Sequence, residues 1–177
     1  MLFRSFDAAL KLFGEKGYEK ITITDIAKSI GVSQGLCYRY FPSKEVLFDS
    51  AIEQYADILV SQFAEMAENT HMPLKQFIEE MPLNVEDQNT KYYAVFHGPQ
   101  NKKFHNQLSL KTCEKLVPVI EKMLQNAREN REIQLEDLKT AARFCIYGQL
   151  GILLDDGMDQ KEKANRIRKF LIYALHL

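Results

Sequence analysis

Apolar residues recur at intervals of three and four along this chain, the period of helices with one buried face, and predict an all-α protein. Phe3, Phe6, Ala9, Leu10 and Phe13 make the first stripe and predict a helix over 3–16, with Gly17 as its C-cap and Tyr18 and Ile21 packing back on it. Ile23, Ile26, Ala27 and Ile30 make a second, shorter stripe. That helix starts at Thr22 or Thr24, with Thr22 as N-cap and Asp25 placing its charge in the first turn. Gly31 stops it, and Ser33 caps the next helix, expected over 34–40. Pro42 ends that helix and Ser43 opens another.

The pattern then lengthens. Residues 43–68 predict one long helix whose inner side carries Leu47, Ala51, Tyr55, Leu59 and Phe63. Shorter helices are expected over 74–81 and 84–98, with Gly98-Pro99 as a break, followed by a short helix in the polar stretch 101–107 and a long helix over 108–130, bent at Pro118. The closing pair spans 136–155, apolar nearly all round, and 159–175.

Helix, glycine turn, short helix over 22–40 is the helix-turn-helix pattern. Helical hairpins of no special function share it, so the weight falls on the exposed side chains of 34–40. Gln34 suits a bidentate contact to adenine and Arg39 one to guanine. Tyr38, Tyr40 and Lys44 are within reach of phosphates.

These residues resemble the TetR-type bacterial transcriptional regulators (TetR/AcrR-like). The likeness rests on Ala8, Ala9, Leu12, Phe13, Gly17 and Tyr18, then Thr22, Ile26, Ala27, Gly31, Val32, Ser33, Gly35, Tyr38, Tyr40, Phe41, Lys44 and Leu47. The resemblance covers residues 3–48 closely; the remainder agrees in length and helical character. It implies a three-helix DNA-binding head over 1–48 and a larger helical effector-binding and dimerisation domain over 49–177. It implies base contacts from Gln34, Gly35 and Arg39, and backbone contacts from Ser33, Tyr38, Tyr40, Lys44 and Thr24. Two departures stand out. Cys37 occupies a place where the family has a larger aliphatic or Phe, and opens a redox reading of the head. Only Met1 to Arg4 precede or open the first helix, where members carry a basic arm; either the minor-groove contact is absent or the start lies upstream.

Charge changes this picture little. Residues 1–50 hold seven Lys/Arg against six Asp/Glu, and the whole chain has a formal net charge of −1. That disfavours tight nonspecific DNA binding but leaves room for a local positive face from Lys28, Arg39 and Lys44. Three widely spaced cysteines, an odd number, fit unpaired thiols in a reducing cytoplasm. No apolar run is long enough for a membrane span, and Arg4, Asp7 and Lys11 break any signal-peptide pattern.

The last two helices carry the assembly signal, since a helix apolar on every side needs cover on two sides. A homodimer is expected through Ile146, Leu150, Leu153, Ile167, Leu171 and Ala174, and the family's four-helix arrangement implies the same. Members of that family bind small, largely apolar effectors. Phe63, Tyr92, Phe96, Cys113 and Tyr147 are the candidate pocket lining, with His97 or Gln149 as polar orienting groups. The scattered histidines form no metal spacing, no cofactor is expected, and no nucleophile stands beside a base. The expected function is a ligand-responsive regulator, a repressor that binds a palindromic operator as a dimer and leaves it when a small apolar or aromatic effector binds. The alternatives are a dimeric protein-interaction module without specific DNA binding and, with less support, a helical enzyme.

Overall fold

The computed structural model describes residues 2–69, 72–82, 92–97 and 102–177. Every α-helix, strand or other regular element among them is helical: α1 (Leu2–Lys16), a single 3-10 turn (Tyr18–Lys20), α2 (Ile23–Ser29), α3 (Gln34–Tyr40), α4 (Lys44–Asn69), α5 (Leu74–Glu80), α6 (Tyr93–His97), α7 (Lys102–Glu129), α8 (Leu138–Leu153) and α9 (Gln160–Leu175). The all-α expectation holds, with α1–α3 forming a helix-turn-helix head ahead of the larger helical part.

One boundary differs from the sequence expectation. The polar stretch is no separate short helix; from Lys102 it is continuous with the helix that follows, as α7. No glycine or proline interrupts 102–117, and Phe104 and Leu108 sit one turn apart on the same side of the helix. Of the helix expected over 84–98, only Tyr93–His97 can be compared, since 83–91 and 98 lie outside the described residues.

The chain forms two compact units, Met1–Ile58 with Glu86–Lys111, and Leu59–Val85 with Thr112–Leu177. Thus α4 and α7 each contribute to both. In the first unit, the core is aromatic. Phe13 and Tyr18 meet at 5.1 Å, Phe48 lies edge-on to Phe13 at 5.4 Å, and Phe104 of α7 closes on Phe48 at 4.4 Å. Polar bonds align α7 beside α4, Gln107 to Asp49 at 2.6 Å and Lys111 to Glu53 at 3.1 Å.

The second unit packs Phe63, Phe77, Leu116, Leu124, Ala142, Ile146, Ile167 and Leu171 into one cluster. Helix ends there are satisfied by charge of the favourable sign. The Glu132 carboxylate accepts from Leu74 N at the start of α5, and Arg168 donates to the Met81 carbonyl at its end, at 2.8 Å. Lys163, only 6% exposed, donates to the Leu153 carbonyl at the end of α8, at 2.7 Å. Asp137 and Asp159 cap α8 and α9.

Candidate nucleic-acid interface

The head is built by short-range bonds. Thr22 and Asp25 cap α2 reciprocally: Asp25 N donates to Thr22 Oγ1 at 3.2 Å, and Thr22 N donates to Asp25 Oδ2 at 2.9 Å. The Thr22 hydroxyl donates to the same carboxylate oxygen at 2.6 Å, and these bonds hold the Asp25 carboxyl below its ordinary value. At the other end Gly31 takes a φ of 72°, which lets Val32 N reach the Ala27 carbonyl at 3.0 Å and Gly31 N the Lys28 carbonyl at 3.2 Å. This pair of bonds is the Schellman closure, and it sets the turn between the two helices.

Ser33 then caps α3, accepting from Leu36 N at 3.3 Å. Only Cys37 of α3 is fully buried. Burial pushes its thiol above the usual range, so the small side chain acts as packing and not as a reactive thiolate. Phe41 is buried at the end of the helix, edge-on to Phe6 of α1 at 5.5 Å. With Cys37 and Phe41 held inward, Ser33, Gln34, Gly35, Tyr38, Arg39 and Tyr40 all stand exposed on one short segment. Thr24 is half-buried on α2. A Cβ added to Gly35 would meet nothing within 4 Å, so nothing among the described residues requires glycine there.

Lys44 stands apart from this group. Its ammonium donates to the Tyr18 carbonyl at 3.1 Å and lies 4.2 Å from the centre of the Tyr18 ring. The Tyr18 hydroxyl in turn donates to Glu45 at 3.4 Å, and burial, with the Glu45 charge beside it, pushes the phenol up to about 12.

The other sequence-predicted residues fall in both units. In the first, Tyr92 bonds through its hydroxyl to Asp7, and both Tyr92 and Phe96 lie against Tyr55, edge-on at 5.3 Å and stacked at 5.4 Å. The side chain of His97 is outside the described residues. In the second, Phe63 packs edge-on to Phe77 at 6.1 Å, and burial drives the Cys113 thiol up to about 11. Gln149 is half-buried and Tyr147 exposed. Ile146, Ile167 and Leu171 are buried in the unit's own core, with Leu150, Leu153 and Ala174 half-buried.

Sequence reasoning expected a second side of α8 to meet a partner but did not single out the aromatics that stand exposed on α8 and α9. Phe144 is 75% exposed, Phe170 60% and Tyr173 77%. On α8, Phe144 falls at three-, four- and seven-residue spacing from Tyr147, Gly148 and Gly151, and a Cβ on either glycine would meet nothing within 4 Å. The two glycines suit close backbone approach, but which aromatics stand beside them on the solvent side shows only once the inward face is known. Among the described residues, no group of His, Cys, Asp and Glu is arranged to hold a metal ion, and no helix is long and apolar enough to cross a membrane.

The sequence profile of the bacterial regulatory proteins, tetR family, matches residues 6–51. The HTH-type transcriptional regulator YerO of Bacillus subtilis (strain 168) is 27% identical over 180 residues, covering 97% of this chain and 62% of YerO. The chain therefore spans less than two thirds of that relative. The fatty acid metabolism regulator protein of the same organism is 30% identical over 198 residues, covering 96% of this chain and 93% of the relative. Among solved structures, GusR of Salmonella enterica shares the fold with a TM-score of 0.61 at 22% identity, over 99% of this chain and 95% of GusR.

Proposed function

The chain belongs to the tetR family of bacterial regulatory proteins, and from that premise we propose that it is a repressor which reads a palindromic operator as a homodimer and releases it on binding a small, largely apolar effector. As a member of that family it is a ligand-responsive DNA-binding regulator and not an enzyme.

One observation carries the DNA reading: α3 buries only Cys37 and exposes Gln34, Gly35, Tyr38, Arg39 and Tyr40 together. Gln34, Gly35 and Arg39 face the bases, and Ser33, Tyr38, Tyr40 and Thr24 serve the sugar-phosphate backbone. At about 1.5 Å per residue, such a helix touches few base pairs, so a second head doubles the site. A two-fold dimer supplies it and requires the operator to be a palindrome. The exposed face of Phe144, Tyr147, Gly148, Gly151, Phe170 and Tyr173 suits the pairing.

The effector class follows from the apolar and sulfur-bearing cluster of the second unit, with Phe63 and Cys113 within it. The 30% identical relative is named for fatty acid metabolism, which favours an acyl-chain ligand over a polar one. Repression requires only that the effector prefer a conformer in which the two heads no longer match adjacent major grooves. Three unpaired cysteines suit work in the reducing cytoplasm.

The test is selection from random duplex DNA by the purified protein, read by sequencing. A palindrome with half-sites about 34–36 Å apart is the expected result. A folded dimer that enriches no sequence at low salt overturns the reading. Medium- and long-chain fatty acids, acyl thioesters and small phenols are then added to the selected complex, and release by one of them identifies the effector class.

A further inference from the structure

We infer that the effector of this chain ends in a neutral polar group, a hydroxyl or a carbonyl, and that the Thr112 hydroxyl is the group that selects it. The inference rests on the effector-responsive reading above and narrows it, from an apolar ligand to an apolar ligand with one uncharged head.

Thr112 lies on α7, in the second unit. It is 8% exposed, and its Oγ1 is closed to solvent and has no hydrogen-bond partner. A helical threonine or serine ordinarily donates its hydroxyl proton to the carbonyl one turn back. Ser109, on the same helix, does so to the His105 carbonyl at 2.8 Å, and Ser50 on α4 does so to the Val46 carbonyl at 2.7 Å. The Thr112 hydroxyl forgoes that outlet. An unpaired buried hydroxyl destabilises a fold, and valine would fill the same shape without that cost. A ligand atom that completes the bond turns the cost into selectivity.

The surroundings say what kind of atom this is. Cys113, the next residue, and Leu116, one turn on, belong to the apolar cluster with Phe63, Phe77 and Ile146. Burial pushes the Cys113 thiol up to about 11, so this part of α7 favours neutral groups over charged ones. A carboxylate brought here would give up its hydration for a single hydroxyl bond, whereas an alcohol, ester or thioester gives up far less. Room for the apolar body comes from the edge of the cluster, where Met66, Met72, Met81 and Met123 are only partly buried. Their unbranched thioether chains repack readily around a flexible ligand.

The experiment measures binding to the full chain by calorimetry. The probes are octanol, methyl octanoate and octanoate, and the benzyl alcohol, methyl benzoate and benzoate series. The parent should bind the alcohol or the ester of one series roughly 10-fold or more tightly than its carboxylate. Thr112→Val should weaken the neutral members of that series roughly 3–10-fold and leave the carboxylate almost unchanged, and Thr112→Ser should keep the preference. A parent that prefers the carboxylate overturns the inference. So does a Thr112→Val variant that binds every compound as the parent does or weakens all of them alike; the apolar-effector reading then stands. A parent that binds neither series overturns both.

Thermal unfolding without ligand is the second measurement. Thr112→Val should raise the midpoint by about 2–4 °C, because it removes an unpaired group. A lowered midpoint would show that the hydroxyl is already paired in the free protein, and overturns the inference whatever the ligands do.

Discussion

Gly14 of α1 and Val95 of α6 meet so closely that a Cβ on Gly14 would lie 2.8 Å from Val95 Cγ2. The next nearest atom, Val95 Cβ, is at 3.8 Å, so a single methyl group fills the space that a side chain at 14 would need. Glycine inside a helix ordinarily costs about 1 kcal/mol against alanine. Here the close approach outweighs that cost. Gly14→Ala should destabilise the chain by about 1–2 kcal/mol in denaturant unfolding, the overpacking penalty less the helical gain. Adding Val95→Ala to Gly14→Ala should recover part of the loss, and additive losses in the double variant would refute the contact.

Gly35 is the opposite case. With nothing within 4 Å of its Cβ position, it has no internal reason to be glycine. Gly35→Ala should stabilise the protein by up to about 1 kcal/mol and yet weaken operator binding, since the added methyl stands where DNA approaches. Arg39→Ala gives the control: about 1–3 kcal/mol lost on the selected duplex, with the preference relaxed at one base pair. Tighter operator binding by Gly35→Ala would remove glycine 35 from the interface.

The outward face of α8 and α9 makes a separate prediction. Phe144→Asp and Tyr173→Asp each place a charge on side chains that are 75% and 77% exposed in the single chain. Neither should reduce helical content by circular dichroism. Each should shift sedimentation towards the monomer at micromolar concentration, and a monomer should lose most of its operator affinity. Unchanged sedimentation in both variants would move the pairing surface elsewhere.

Acid sensitivity of the head follows from Asp25. Its hydrogen bonds with Thr22 lower the carboxyl below its ordinary value of 3.8. A depressed folded value means that the bonds add stability above the unfolded value, and that this is lost as pH falls through the folded one. Asp25→Asn should therefore be less stable than the parent at neutral pH, and the gap should close as pH drops below about 4. A gap that stays constant from neutral pH into that range would show that the carboxylate charge does not matter to the cap.

Much of the head was legible because its signals are local. Thr22 with Asp25, Gly31, Ser33 and Pro42 each declare a cap or a stop within four residues of the partner they use, and α3 begins and ends where those residues place it, Gln34–Tyr40. Lys44 was not legible. Its contact with Tyr18 could not be read from the sequence, because the carbonyl it meets lies 26 residues away. The start of α7 was missed because a polar stretch without a stop signal reads like a gap, although Phe104 anchors it against Phe48. The orientation of α8 was hidden for a different reason. Phe144, Ile146, Tyr147 and Leu150 are apolar in every direction, so periodicity alone cannot say that Ile146 turns inward while Phe144 faces out.

The discontinuous make-up of the first unit bears on how the protein is born. Phe104, Gln107 and Lys111, which complete the packing around Phe48, Asp49 and Glu53, are encoded some fifty to sixty residues downstream of their partners. On the ribosome the reading head emerges early but lacks this packing until α7 follows it out. A nascent chain stalled before Phe104 should expose the rings of Tyr18 and Phe48, making that interval of synthesis the one in which a chaperone has most to bind.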